Sequence, residues 1–138
     1  MMSEANVEVV RRSFEAFACG DFETAFAAYQ PSAQWRTAED EPDARTHRGL
    51  NEIRRWARML ADPWTDRFDR SVTPEEYVDL GEWVVVPTSG RLHGKGSGIE
   101  VAINETYAVL VRDGRIVRVD EYRTTEQALA AVRQGPGP

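Results

Sequence analysis

Cysteine is all but missing from this chain of 138 residues: Cys19 stands alone, so no disulfide can form within it. A chain without disulfides fits a reducing compartment, and a cytoplasmic protein is expected. Lysine is as scarce, with Lys95 the single one among 17 basic residues. Charge is acidic on balance, −6 at pH 7, which speaks against a nucleic-acid partner, since such partners demand a basic face. No apolar run is long enough to span a membrane, and the opening MMSEANVEVVRR lacks the basic start and apolar stretch of a signal peptide. Histidine occurs twice, at His47 and His93, with no tight spacing to other ligand types, so neither a metal nor another cofactor is expected. No internal repeat is present. The Gly-Pro tail at 135–138 reads as disordered, which leaves a single domain over 1–134.

What is there begins with helical periodicity. Val7, Val10, Phe14 and Phe17 recur at helix spacing behind Ser3 as a cap, and Gly20 ends that helix. Asp21 caps a second helix with Phe22, Ala25, Phe26 and Tyr29 on its apolar side and Pro31 as its stop. A short strand around 34–37 carries Trp35, and residues 38–48 read as a polar loop. Gly49 opens a third helix with Leu50, Ile53, Ala57 and Leu60 inward, Trp56 alongside, and Arg54, Arg55 and Arg58 on a solvated outer side rather than in an anion site. From Trp64 to Leu80 the pattern is that of a long edge strand broken near Pro74. Trp83 to His93 is a further strand. The glycines of GKGSG at 94–98 mark a hairpin loop and not a phosphate cradle, because no helix follows them. Thr124 with Gln127 makes a capping box for a last helix. Helices grouped ahead of antiparallel strands define the α+β class, and a curved antiparallel sheet with helices on its concave side encloses a pocket.

The most informative stretch is IEVAINETYAVLVRDGRIVRVDEYR, residues 99–123. Two β-rich runs meet at Arg112-Asp113-Gly114, a hairpin signal. A two-residue loop pairs Glu105 with Tyr122; a three-residue loop pairs Glu105 with Glu121. The second gives one bulky face, Ile103, Glu105, Tyr107, Val109 and Val111 with Val117, Val119, Glu121 and Arg123, and is adopted here. It sets two carboxylates opposite each other on an apolar wall. Mutual repulsion and burial favour retention of a proton by one of them. Such a pair can move a proton between two sites, with Tyr107 as donor to a developing oxyanion. The competing reading is an ion network in which Arg123 neutralises both carboxylates.

The segments NVEVVRRSFEAFACGDFETAFAAY, RGLNEIRRW and VRDGRIVRVDEYRTTEQALAAV resemble the SnoaL-like branch of the nuclear transport factor 2-like superfamily, and the resemblance spans nearly the whole chain. It implies a cone: a curved sheet wrapped around helices with a pocket inside, often paired into homodimers through the outer sheet face. Members range from ketosteroid isomerase, limonene-epoxide hydrolase and polyketide cyclases to non-catalytic transport and scaffold proteins, so fold alone does not settle activity. Limonene-epoxide hydrolase carries a catalytic aspartate followed by Tyr at the end of its last strand, the place of Glu121-Tyr122 here, which implies Glu121 as a pocket acid. Its arginine and second aspartate fall on Thr88 and Gly90, and its water-holding Tyr and Asn on Trp35 and Thr37. The basic aspartate of ketosteroid isomerase also falls on Thr37. Neither reaction is therefore expected to run here through those residues.

The expected site consists of Glu121, Glu105 and Tyr107 as catalytic groups, lined by Phe14, Phe17, Trp35, Thr37, Trp56, Thr88, Ile103, Val109, Val119 and Arg123. Its expected partner is a small apolar or carbonyl-containing molecule. Two functions compete: a cyclase or isomerase working by carboxylate acid/base chemistry, and a non-catalytic small-molecule-binding or dimerisation domain. A pure protein-interaction scaffold is a third. Trp35, Trp56 and Trp64 either line the cavity or simply pack. Cys19 reads as a packed helix-end residue, His93 as an outer-face residue, and His47 as an exposed loop histidine beside the pocket mouth.

Overall fold

The apolar stripe of Val7, Val10, Phe14 and Phe17 winds into α1 (Met2–Ala18), and Gly20, at a φ of 79°, turns the chain into α2 (Phe22–Ala27). The side chain of Asp21 accepts the backbone N–H of Thr24 and caps α2 as expected. The helix is shorter than its pattern suggested. Tyr29 already belongs to β1 (Tyr29–Arg36), and Pro31 lies within that strand. The chain continues through β2 (Thr46–Arg48), α3 (Leu50–Ala61), β3 (Val72–Pro74), β4 (Val78–Leu80), β5 (Trp83–His93), β6 (Glu100–Arg112), β7 (Arg115–Tyr122) and α4 (Thr125–Gln134). The structure is a computed structural model that describes residues 2–39, 45–61, 72–93, 96 and 98–135. Trp64, and most of the glycine-rich link at 94–98, lie outside the described residues, and so does the 135–138 tail apart from Gly135. The edge strand expected from Trp64 to Leu80 is, among the described residues, the two short strands β3 and β4, both paired with β5.

The strands form one wrapped sheet in the order β2-β1-β7-β6-β5-β3, with β4 also on β5. It is mixed rather than wholly antiparallel, because β1 runs parallel to β7 while its other neighbour, β2, is antiparallel. Parallel neighbours need a long crossover, and most of the chain, between the first strand and the last, supplies it. Helices α1, α2 and α3 fill the concave side. There Val10, Phe26, Ile53 and Ala57 pack with Val84, Val86, Val109 and Val119, all nearly or fully sealed from water. The helix α4, capped by Thr124 as its capping box foretold, lies on the outer face and buries Val85, Ala108 and Ala128. Also on that face, the buried Asp120 carboxylate takes Nε of Arg118 at 3.0 and 3.1 Å, with Arg36 of β1 3.8 Å away.

The β6–β7 hairpin corrects the expected register. The loop has two residues, Asp113 and Gly114, with φ of 52° and 74°; two positive values define a type I′ turn, matched to the twist of the strands. Arg112 faces Arg115 and Val111 faces Ile116, but the next pair is Leu110 with Arg118. Val117 is thus an extra residue, a bulge. Turn and bulge together displace the register by two residues from the three-residue loop. An even slip preserves which side chains share a face, so Glu105, Tyr107, Val109, Val119 and Glu121 all lie on the concave wall as expected. The partners change, however: Tyr107 faces Glu121, and Glu105 moves up to the level of Arg123. Before the bulge the face is inverted, so Ile116, and not Val117, is the core residue.

Gly114 meets no heavy atom within 4 Å at the position of an added Cβ, so its replacement is a test of backbone strain alone. We expect Gly114→Ala to lower stability by roughly 1–2 kcal/mol, the cost of a left-handed conformation in a residue with a side chain. Urea denaturation followed by tryptophan fluorescence measures it, with an unchanged slope.

Candidate functional site

Trp35 is the hinge of the site. It lies on β1 beside Val119 of β7, and its indole N–H donates to Oε1 of Glu121 at 2.9 Å. Glu121 is 8% exposed, a carboxylate taken into the core wall and met there by a neutral donor. A burial of this kind is tolerated only with hydrogen bonds in place. Across the ladder, Tyr107 presents its ring edge-on to Trp35 at 5.7 Å and to Phe14 of α1 at 5.6 Å. Its hydroxyl donates to Oε2 of Glu105 at 2.9 Å. Arg123 Nη1 lies 4.0 Å from Oε1 of the same carboxylate. Trp56 of α3 approaches Trp35 at 5.3 Å. These rings are half-buried although they face the concave side, so the core is not sealed over them.

The two carboxylates are therefore not directly opposed. They stand on the ladder diagonal, where Cβ atoms are roughly 7 Å apart, and each has its own donor. The direct-repulsion argument for a shared proton does not carry over to this geometry. Glu105, with Tyr107 and Arg123, has the makings of the ion network, while Glu121 stands in the more enclosed and more apolar position.

The expected lining divides. Phe14, Trp35, Trp56 and Tyr107 converge on one another, and Val109 and Val119, fully buried and paired across the ladder, lie beneath them. Phe17 stacks on Phe22 at 4.9 Å and packs at the α1–α2 junction. Thr88 faces Glu105 on the ladder and spends its hydroxyl on the Glu105 carbonyl at 2.8 Å. Thr37 is buried, but its hydroxyl clamps the backbone of Arg45, accepting N–H at 2.9 Å and donating to the carbonyl at 3.1 Å. Ile103 sits on β6 opposite Gly90, and its side chain lies outside the described residues. Among the described residues no group of three or more His, Cys, Asp or Glu side chains is arranged to hold a metal.

His47 overturns its sequence reading. It is 4% exposed, not a loop residue, and sits on β2 directly across from Trp35, so both side chains share the concave face. Its imidazole stacks on Trp56 at 4.5 Å, and Nδ1 lies 3.6 Å from Oε1 of Glu52 in the first turn of α3. Nε2 is buried and has no hydrogen-bond partner among the described residues. The available signal was the dyad pattern Thr46-His47-Arg48 just before Gly49, whose N–H bonds Ala33 of β1 and so brings a strand-length segment beside Trp35. Arg54 was likewise misplaced: it lies over the ring of Phe26 at 5.9 Å and not on the solvated side.

Fold and site together define an α+β cone with an aromatic and acidic patch on its inner wall. The family model for the SnoaL-like domain matches residues 10–119, and the chain belongs to that family. No curated protein matches it in sequence. Solved structures match throughout. A nuclear transport factor 2-like protein of unknown function from Burkholderia pseudomallei is 22% identical, with 91% of this chain and 95% of that one covered and a TM-score of 0.73. A candidate SnoaL-like polyketide cyclase from Jannaschia sp. is 18% identical, with 99% and 96% covered and a TM-score of 0.73. TerC, co-crystallised with polyporic acid, is 18% identical, with 94% and 98% covered and a TM-score of 0.71. At these identities the likeness is one of fold.

Burial lowers the pKa of His47 below its ordinary value of 6.5; Glu52 opposes the shift and Arg45 adds to it. The unfolded chain then binds the proton more readily than the folded one, so stability rises with pH across this window. We expect wild type to lose stability as pH falls below about 6.5, levelling off below the lowered folded value, and His47→Gln to lack this component. The difference between the two urea-stability profiles from pH 8 to 4 isolates it from the carboxylates.

Proposed function

We propose that the chain binds a small carbonyl-containing molecule against the Trp35–Trp56–Tyr107 wall and promotes its enolisation, as a cyclase or isomerase does, with Glu121 as the base. The observation that carries this reading is the enclosed Glu121 carboxylate, held by the Trp35 indole and faced by the Tyr107 phenol. A carboxylate in such surroundings can take a proton from carbon, and the Tyr107 phenol across the ladder becomes a donor for the oxygen that gains charge once its single O–H turns from Glu105 to the ligand. Tyr107 is tied to Glu105, which with Arg123 sets the tilt of the phenol. The fold is shared with a candidate SnoaL-like polyketide cyclase, and TerC, of the same fold, was co-crystallised with polyporic acid, a small molecule.

Hydrogen–deuterium exchange at the α-carbon of 2-tetralone, followed by proton NMR, tests the reading without knowledge of the natural substrate. Wild type should accelerate the exchange, and Glu121→Gln should lose most of the acceleration, roughly 100-fold or more, with its circular dichroism unchanged. Probe binding without any exchange would instead favour the non-catalytic binding domain, for which the Arg123–Glu105–Tyr107 network is the supporting observation.

Self-association is also part of this reading. A homodimer is proposed to form through the outer sheet face where α4 leaves Ala102 and Asn104 of β6 exposed. Light scattering coupled to gel filtration should give twice the chain mass of 15.6 kDa, and Asn104→Arg should shift the population to single chains. A single-chain mass for wild type at micromolar concentration would rule the pairing out.

A further inference from the structure

The acid/base reading above makes no use of His47, although the fold spends a buried position on it. One side of its ring lies on Trp56; Nδ1 is turned to Glu52 at 3.6 Å, and Nε2 at the other end of the ring has no partner among the described residues. A buried nitrogen left without a hydrogen bond costs about 1–3 kcal/mol, and native interiors seldom leave one without a use. A carboxylate on the Nδ1 side selects the tautomer with hydrogen on Nδ1 and leaves Nε2 as a lone-pair acceptor. That is how an orienting acid prepares an imidazole base. His47 is also joined to the carboxylate site by position. It pairs with Trp35 on the β1–β2 ladder, and Trp35 holds Glu121. Trp56, half-buried, bridges the two by contacting both His47 and Trp35.

We propose that His47 is a second base of the site, whose Nε2 accepts a hydrogen bond from an enolic or phenolic hydroxyl of the bound molecule while Glu52 positions the ring through Nδ1. The proposal rests on the reading of the site as a pocket for a carbonyl compound and adds the chemical form recognised: the hydroxylic enol or phenol. In the proton step the O–H bond of the ligand breaks as an Nε2–H bond forms. The electron pair remains on oxygen, giving an enolate and an imidazolium that Glu52 stabilises; return of the proton restores both. Nε2 is covered in this conformation, so the hydroxyl reaches it only on displacement of a covering side chain.

With only two histidines in the chain, nitrogen-15 NMR of the imidazoles, assigned with His93→Gln, reads the proposal directly. The probes are 2-naphthol, a neutral phenol, and 2-methoxynaphthalene, the same skeleton without the donor. We expect 2-naphthol to move the His47 Nε2 resonance out of the lone-pair region towards the hydrogen-bonded one. By calorimetry it should bind wild type about 5- to 10-fold more tightly than the ether, the worth of one hydrogen bond of about 1 kcal/mol. His47→Phe should erase that preference, and if this variant does not fold the wild-type resonance decides alone. Equal binding of both probes with His47 unmoved overturns the role of His47 and leaves the pocket reading intact. Failure of both probes to bind overturns the pocket reading and the inference with it.

Discussion

The parity of the β6–β7 hairpin is the constraint on which the site depends. Side chains alternate across a strand, so one added or lost residue moves a whole row from the core to the outside. Here a two-residue type I′ turn and the extra residue Val117 act in opposition to any single-step slip. With both in place, Tyr107 and Glu121 meet on the concave wall, and Asp120 and Tyr122 go to the other side. Arg118 then finds Asp120 on the outer face, and Trp35, aligned with Val119, finds Glu121 on the inner one. One register thus gives Asp120 and Glu121, on opposite faces of β7, a donor each, which makes competing registers expensive.

The same wall shows how an acidic site is made compatible with a core. Val109 and Val119 keep the base of the wall dry, and the rings of Trp35, Trp56, Tyr107 and Phe14 fill the space above with edge-on and tilted contacts. Such contacts expose ring edges and N–H or O–H groups, and two of these groups go to the two glutamates. An aliphatic wall of the same volume would supply neither of these two donors. The aromatic content is therefore bound up with the carboxylates.

Much of this was legible in order. The stripes of α1 and α3, Gly20 and Gly49 as turns, Asp21 and Thr124 as caps, β5 from Trp83 to His93 and the shared face of Glu105, Tyr107 and Glu121 all follow from periodicity and capping chemistry. The end of α2 was missed because Tyr29 continues its apolar pattern, yet Ala28 accepts the N–H of Ile116, so β-pairing claims the chain one residue later. The exact partner of Glu105 was missed because Ile116 and Val117 are both apolar, so the pattern does not show which of them faces the core or where the bulge falls. His47 was missed because burial of a three-residue strand depends on what lies beside it: Trp35 from β1 and Trp56 from α3.

What the sequence determined by itself is local and periodic: which segments coil, which extend, where they are capped, and which side chains of one strand travel together. These depend on neighbours within a few residues, where propensity and alternation act. Only the tertiary structure decided which rows face each other, that β1 closes against β7 in parallel, that Trp35 donates to Glu121, and that His47 is sealed with Nε2 unmatched among the described residues. Those outcomes join residues as far apart as 35 and 121, and they are set by the joint satisfaction of packing and buried polar groups across the whole sheet, which no window of the chain contains.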